Sequence, residues 1–255
     1  MVIKDLEDPR RLSMLRSQID SNSVEEIMDS DFPTVSSDDR LSDALSVMRD
    51  TNYQDIPVVD NGTYMGVISY ATVLKKRSAN MDAKVKGLIR GVPMLGKSDD
   101  ITKIAEEMSG NNCRQLPVIS GKKVIGVVSR RGLVDIASRI KALNEIKVWE
   151  LMTNPVKSVG VNAMLSDAFD IMQELDTLTI PVVDNDNKVI GVVGMREIID
   201  NNWKNDNKII GDLQKSAKAQ ITVESVSVNH AITVNWDDTV EEAATIMVEN
   251  DISTL

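Results

Sequence analysis

The stretch IPVVDNGTYMGVISYAT, from Ile56 to Thr72, decides the fold because the chain repeats it. Related stretches follow as LPVISGKKVIGVVSRRG from Leu116 to Gly132 and as IPVVDNDNKVIGVVGMRE from Ile180 to Glu197. Each stretch reads as an apolar strand, a turn with Asn or Gly, and a second apolar strand, which is the pattern of a β-hairpin. The prolines of the three hairpins are 60 and 64 residues apart, so the chain contains an internal repeat of about this length.

Helical sequence surrounds each hairpin. Before the first hairpin, positions 41, 44, 45 and 48 are apolar with helical spacing, and the extended segment that precedes them ends in Ser and Asp, residue types that cap helices. A second helical segment follows each hairpin. The repeat therefore predicts an α/β unit in the order extended segment, helix, strand, strand, helix. One unit is too small to bury its own sheet, so we expect the copies to pair sheet against sheet.

A fourth copy is predicted by its offset. The sequence from Val24 matches the sequence from Val223 at a constant shift of 199, which puts Met48 on Met247. The same shift would place the fourth proline just after Leu255, so we expect this repeat to be cut short. The predicted organisation is an N-terminal helical segment (1–22), repeats at 23–80, 81–143 and 144–203, a linker (204–222) and a partial fourth repeat (223–255).

The composition is that of a soluble protein with a core. The 255 residues are 42% hydrophobic and 27% charged, with a net charge of −10. No apolar run approaches the ~20 residues of a membrane-spanning helix. One cysteine, Cys113, and one histidine, His230, exclude a disulfide framework and a His-based triad or metal cluster. We expect a cytoplasmic protein without a metal site or a membrane segment.

Positive charge is concentrated in the second repeat. Residues 85–141 hold eleven Lys and Arg against five Asp and Glu, which gives +6, so the rest of the chain carries −16. The segment is either ordinary surface patchiness or an anion-binding region. The net charge and an aromatic content of 3% argue against nucleic-acid binding, which remains a minor alternative for the basic repeat.

The unit resembles the CBS domain, whose pattern is an apolar residue and Pro-Val before the turn and Gly, two apolar residues and [ST]-x-x-D after it. The resemblance covers about Val24 to Leu255. It implies that two repeats form a Bateman module and that four give two modules. Such modules are typically regulatory, self-associate, act on a protein partner, and bind AMP, ADP, ATP or S-adenosylmethionine between paired repeats; no cofactor is required. It also implies no catalysis, since the repeats leave no room for the ~250-residue barrel of the dehydrogenase that carries CBS inserts.

The second repeat carries most of the implied phosphate-binding residues. Arg114 precedes the LPV motif as basic residues do in nucleotide-sensing relatives, and Ser129 and Arg131 match the hydroxyl and arginine of the family's T-x-R-D version. Gly132 stands where the family has its acid. The resemblance implies that Arg114, Ser129 and Arg131 converge on one cleft. The alternative is that both arginines are solvated surface charges.

The other repeats match less completely. No visible repeat has both the hydroxyl and the Asp, so a structural or protein-interaction module with decayed ligand sites is the alternative function. Thr34, Ser158 and Thr233 end the extended segments and either contact a ligand or cap a helix. Cys113 is either a small core residue or a thiol with a lowered pKa beside Arg114. The remaining candidates are Ser69 and Thr72 in the first repeat and Arg196 and Glu197 in the third.

Overall fold

The structure is a computed structural model, and it describes most of the repeated region. The predicted N-terminal helix lies mostly outside the described residues, although residues 17–19 are helical and Ile19 packs against the apolar core of the second repeat. The predicted linker is described only at its last two residues. None of the described helices is long and apolar enough to cross a membrane. The described residues are 13, 17–19, 22–76, 80–199, 221–226, 229–252 and 254–255.

The first repeat has the predicted order of elements. The spaced apolar residues of its first long helix, α2, are buried, and this helix ends at Asn52 in the left-handed conformation with φ 59° and ψ 21°. The elements are α1 (Val24–Ile27), β1 (Met28–Asp29), α2 (Leu41–Thr51), β2 (Asp55–Asp60), β3 (Thr63–Ser69) and α3 (Tyr70–Lys75).

The second repeat repeats this order. Asp100 caps α4, because its carboxylate accepts hydrogen bonds from the backbone N–H groups of Thr102 and Lys103. The elements are a 3₁₀ turn (Val85–Gly87), α4 (Ile101–Gly110), β4 (Gln115–Ser120), β5 (Lys123–Ser129), α5 (Arg130–Ala137) and a second 3₁₀ turn (Lys141–Glu145).

The third repeat has the same hairpin, and a helix begins directly after it. The third repeat consists of α6 (Val148–Leu151), β6 (Val159–Gly160), α7 (Leu165–Leu175), β7 (Thr179–Val183), β8 (Val189–Gly194) and α8 (195–199). We call residues 221–255 the C-terminal segment; it contains a 3₁₀ turn (Val223–Ser225) and α9 (Val240–Glu249).

The three hairpins share one register. Val58 faces Gly66 in the first hairpin and Val118 faces Gly126 in the second, and the pairing shifts by a bulge directly after each valine. The third hairpin places Val182 opposite Gly191 with the same bulge. The repetition in sequence is therefore a repetition of backbone geometry, down to the irregular position.

In each of the first two repeats, the short segment before the first long helix pairs with the hairpin of the other repeat, and we call this the exchange of entering segments. Strand β1, which precedes the first repeat's long helix, pairs with β5 of the second repeat, with Met28 opposite Val128. In return, Arg90 forms a bridge with Val67 of the first repeat. The exchange explains two recurring glycines: a Cβ at Gly66 would lie 2.8 Å from the carbonyl oxygen of Arg90, and one at Gly126 would lie 2.7 Å from the Sδ of Met28. These two repeats form one paired unit.

The third repeat and the C-terminal segment show the same kind of exchange. The N–H of Leu165 donates to the carbonyl of Ile221 at 2.9 Å, and the N–H of Val240 donates to the carbonyl of Ile146 at 2.8 Å. Asn229 forms a bridge with Val192 on β8, as Arg90 does with β3. The C-terminal segment therefore pairs with the third repeat.

The two paired units pack against each other. The first repeat contacts the third, and the second repeat contacts the C-terminal segment. One continuous apolar cluster combines buried residues of the first and third repeats, and a second cluster centres on the second repeat together with Val24. Helix α9 packs against α5, and Arg131 on α5 forms an ion pair with Asp251 after α9. The junction of these units brings together residues from the first three repeats.

Candidate functional site

The candidate residues of the first repeat satisfy each other. Ser69 is completely buried and caps α3, since its Oγ accepts a hydrogen bond from the N–H of Thr72 at 3.0 Å. The two hydroxyl oxygens are also 2.9 Å apart. Ser69 and Thr72 therefore form a helix cap in this structure.

The candidate residues of the second repeat do not converge as a set. Ser129 caps α5 by accepting from the N–H of Gly132 at 3.1 Å. A Cβ at Gly132 would lie 3.1 Å from the carbonyl oxygen of Ile27, closer than an ordinary van der Waals contact, so a side chain at this position would crowd the end of α1. Arg131 points to the C-terminal segment, where it pairs with Asp251. Only Arg114 lies in the cluster of charged residues described below.

The third repeat uses its acid within the fold. The Glu197 carboxylate accepts from the N–H of Gly194 and from the side-chain amide of Asn229, both at 2.9 Å. It therefore closes the start of α8 and holds the C-terminal segment. Arg196 is exposed and makes no hydrogen bond or ion pair with the described residues.

The hydroxyl residues at the ends of the extended segments do not cap helices. The residues at the cap positions of α2, α7 and α9 are Arg40, Met164 and Thr239, so the capping alternative is wrong. Ligand contact by Thr34, Ser158 and Thr233 stays a prediction. Thr34 and Thr233 are exposed and Ser158 is half-buried.

A cluster of cationic side chains lies where the first, second and third repeats meet. Arg130, at the start of α5, is fixed by the backbone of the second repeat: its Nε donates to the carbonyl of Cys113 at 2.8 Å and one Nη to that of Met108 at 3.3 Å. We call the set the cation cluster, and its members are Lys75, Arg90, Arg114 and Arg130.

Arg114 has the least satisfied guanidinium of the cation cluster. Its side chain forms no hydrogen bond or ion pair with the described residues, although the residue is half-buried. Burial lowers the pKa of Arg114, Arg130 acts in the same direction, and Asp55 and Asp176 oppose them. A partly desolvated cation without a bonded counter-ion is a favourable position for an anion.

The buried carboxylate of Asp55 contacts two residues of the cation cluster, Arg114 and Arg90. Only 2% of this residue is exposed, and its Oδ2 accepts from the backbone N–H groups of Arg114 at 2.7 Å and Gln115 at 3.1 Å. Arg90 lies 3.6 Å from its other oxygen. Burial raises the pKa of Asp55 against the opposing effect of these donors and of Arg90. Asp55 thus connects the first repeat to the main chain that positions Arg114.

Two polar atoms beside Asp55 are buried without a hydrogen-bond partner. They are Nε of Arg90 and the phenolic oxygen of Tyr64. Burial, with smaller contributions from Cys113 and Asp55, raises the pKa of Tyr64 to about 12. Unsatisfied buried polar atoms are uncommon in folded proteins, and such atoms mark places where a ligand or water completes the hydrogen bonding.

Cys113 lies in the same region as a core residue. It is fully buried, and burial raises the pKa of its thiol even though Arg90 lies 3.5 Å from the sulfur. The alternative of a reactive thiol with a lowered pKa is therefore wrong. Among the described residues, no group of His, Cys, Asp and Glu has a metal-binding arrangement.

Comparison with protein-family models decides the family. The model of the CBS domain matches residues 24–79, 85–139 and 148–203, which together make up more than half of the chain. The chain belongs to the CBS-domain family. The three matched CBS repeats are the three copies with complete hairpins, and the exchange of entering segments is the pairing of a Bateman module. The family model does not match the C-terminal segment.

Relatives of known structure show the same fold. The crystal structure of protein MJ1225 from Methanocaldococcus jannaschii superposes with a TM-score of 0.76 at 19% identity, and 91% of each chain is covered. An uncharacterized conserved protein from Pyrococcus horikoshii gives a TM-score of 0.58 at 18% identity, with 91% of this chain and 88% of that chain covered. At these identities the likeness concerns the CBS fold alone.

A sequence relative covers most of this chain but is longer. Uncharacterized protein MJ1404 of Methanocaldococcus jannaschii is 24% identical over 236 residues, which are 90% of this chain and 56% of the relative. The chain likewise spans 59% and 53% of two further archaeal relatives, from Acidianus ambivalens and Methanocaldococcus jannaschii. It thus spans between half and two thirds of these curated relatives' length.

The sequence does not single out five residues of this region. Lys75 lies at the end of α3, outside every family motif, and the family pattern points to Arg131 rather than to the neighbouring Arg130. Arg90 lies in the segment that crosses from the second CBS repeat to the first, so no motif marks it. Asp55 and Asp176 are two and five residues before the hairpin prolines, and only comparison of these positions across repeats could have singled them out.

Proposed function

We propose that this CBS-domain chain is a regulatory ligand-binding protein and that the cation cluster binds the phosphate of an adenosyl ligand such as AMP, ADP or ATP. The observation that carries the proposal is Arg114, a half-buried guanidinium without a hydrogen-bonded partner among the described residues. A phosphate oxygen is the acceptor that an arginine fork matches best. The adenosyl class comes from the family, and the phosphate from the charges of this chain.

The charge balance of the cluster supports an anionic ligand. Four cationic side chains lie with two carboxylates, so the region has an excess of at least two positive charges, within a chain of net charge −10. The unpartnered Nε of Arg90 adds a donor at the same place. S-adenosylmethionine lacks a phosphate, so we expect nucleotides to bind more tightly.

We also propose that the C-terminal segment is the first part of a fourth CBS repeat. Three observations support it. The N–H of Asn235 donates to the Asp238 carboxylate at 2.7 Å, as the N–H of Ser36 does to Asp39 at 2.7 Å. Helix α9 corresponds to α2 at the shift of 199, and the residue after each helix motif, Asn52 or Asp251, has positive φ. The segment also pairs with the third repeat as the second repeat does with the first.

The alternative is a structural or protein-interaction module. The internal use of Ser69 and Thr72 as a cap, and of Glu197 as a tie to the C-terminal segment, favours this alternative for the clefts of the first and third repeats. Gly132 packed against Ile27 favours it for the acid position of the second. The cation cluster distinguishes the two functions, because a purely structural module has no need of an unpartnered arginine there.

Calorimetric titration tests the proposed function. The full chain is titrated separately with AMP, ADP, ATP and S-adenosylmethionine, and unfolding temperatures are measured with each ligand. We expect at least one nucleotide to bind more tightly than S-adenosylmethionine and to raise the unfolding temperature. If none of the four produced heat or a shift at millimolar concentration, the interaction-module alternative would replace the proposal. Self-association, a regulated protein partner and a cytoplasmic location stay predictions.

A further inference from the structure

Asp176 is the point at which the third repeat reaches the cation cluster. It follows α7 in the left-handed conformation, with φ 50° and ψ 38°, like Asn52 and Asn112 at the corresponding positions of the first two repeats. Its carboxylate lies 3.2 Å from Nζ of Lys75 in the first repeat. Its carbonyl oxygen accepts from the side-chain amide of Asn112 in the second repeat at 3.1 Å. One residue thus contacts two other repeats.

The Asp176 carboxylate is held in its charged form. Burial acts to raise its pKa, but the neighbouring Asn112 amide, the ammonium of Lys75 and the guanidinium of Arg114 outweigh burial, so the pKa of Asp176 is lowered. Its Oδ1 is shielded from solvent and faces Lys75. A fixed negative charge therefore stands within electrostatic range of Arg114 at neutral pH.

We propose that Asp176 is an internal counter-anion that limits the charge of the ligand accepted by the cation cluster. The inference rests on the proposed function. A phosphate monoester carries about −1.5 to −2 at neutral pH, which matches the excess positive charge of the cluster. Each further phosphate group brings negative charge that faces Asp176 and competes with it for Lys75. The site therefore favours a nucleoside monophosphate over the triphosphate.

The competition also has a consequence for the contact between repeats. The ion pair with Lys75 joins the third repeat to the first, so a phosphate group that takes Lys75 weakens this contact. A monophosphate at Arg114 leaves the contact in place, because the matched charge does not require Lys75 to be released. Asp176 is thus a specificity-determining residue, and its ion pair with Lys75 is the contact between repeats that a triphosphate would weaken.

The substitution Asp176→Asn tests the inference with little change of shape. Asn is the residue at this position in the first two repeats and tolerates the left-handed conformation. AMP and ATP are titrated calorimetrically into the full wild-type chain and the variant. Removing one negative charge should strengthen ATP binding about tenfold and AMP binding less than about threefold, since the repulsion grows with ligand charge. The preference for AMP over ATP should narrow accordingly.

The control is Asp251→Asn. Asp251 has the same left-handed conformation and also forms an ion pair, with Arg131, but it is not among the acids near Arg114. Its variant should keep the wild-type ratio of AMP to ATP affinity. An unchanged ratio in Asp176→Asn with wild-type AMP binding intact, or an equal change in both variants, would overturn the inference and leave the proposed function standing. Absence of nucleotide binding in both the wild type and Asp176→Asn would overturn the two together.

Discussion

Single residues of the cation cluster depend on neighbours that are distant in sequence. Arg114 could be singled out because it precedes a hairpin proline in a basic stretch. Asp55, whose carboxylate accepts a hydrogen bond from the Arg114 main chain, lies 59 residues away and matches no motif. Arg131 was predicted to share the cleft and instead pairs with Asp251. The family pattern marked Arg114 and Arg131 as candidate ligand-binding residues. Only packing between repeats decides which of them is desolvated and which is exposed.

Asp55 should stabilise the fold through its hydrogen bonds rather than its charge. Asp55→Ala leaves the buried N–H groups of Arg114 and Gln115 without an acceptor and should lower the free energy of unfolding by about 2–4 kcal/mol. Asp55→Asn keeps an acceptor oxygen and should stay within about 1 kcal/mol of the wild type near neutral pH. Chemical denaturation measures both. Equal losses in the two variants would contradict the role assigned to the hydrogen bonds.

The pH dependence of stability gives a separate test of Asp55. Because burial raises its pKa in the folded state, its carboxyl holds a proton more tightly there than in the unfolded chain. The stability that protonation contributes is complete below the ordinary value of 3.8 and is lost as pH rises through the raised pKa. The wild type should therefore lose stability relative to Asp55→Asn as pH rises from about 4. The opposite slope would show that the donors and Arg90 dominate.

The repeated hairpin is the element that could be predicted best. Its two strands and its turn are predicted by two apolar runs separated by Asn or Gly, because these signals are local in sequence. The pairing of entering segments was not visible in the sequence, since a crossing of only two residues, Met28–Asp29, carries no periodic pattern. The glycines after the turn were its one trace. At Gly66 and Gly126 they permit the close approach of the segment that crosses from the other repeat.

Alanine at two of these glycines should have different costs. At Gly66, φ is +138° and the new Cβ would meet the backbone carbonyl of Arg90, so Gly66→Ala should cost about 2–4 kcal/mol. At Gly126 the closest atom belongs to the flexible Met28 side chain, so the cost should be about 1–2 kcal/mol. Gly110→Ala, where a Cβ meets nothing within 4 Å, is the control. Unfolding free energies that ranked Gly126→Ala as the more costly change would contradict the crossing geometry.

For the molecule as a whole, the sequence predicted two paired units but not how they meet. The charges that join them come from all three hairpin repeats and the C-terminal segment: Lys75 with Asp176, and Arg131 with Asp251. Each pair is exposed and should contribute little stability by itself. Their position matters more than their energy, because the junction they frame contains Arg114. Part of the excess positive charge of residues 85–141, namely Arg90, Arg114 and Arg130, therefore lies at this junction rather than in a general surface patch.

The central claim is that Arg114 binds the phosphate of an adenosyl ligand, and one comparison tests it most directly. AMP is titrated calorimetrically into the full chain carrying Arg114→Gln, with Arg139→Gln as a control, since Arg139 is an exposed arginine of the same repeat that pairs with Asp135. We predict that Arg114→Gln weakens AMP binding at least about tenfold, a loss of about 1.4 kcal/mol, while Arg139→Gln retains the wild-type affinity. Wild-type affinity for AMP in Arg114→Gln would contradict the account.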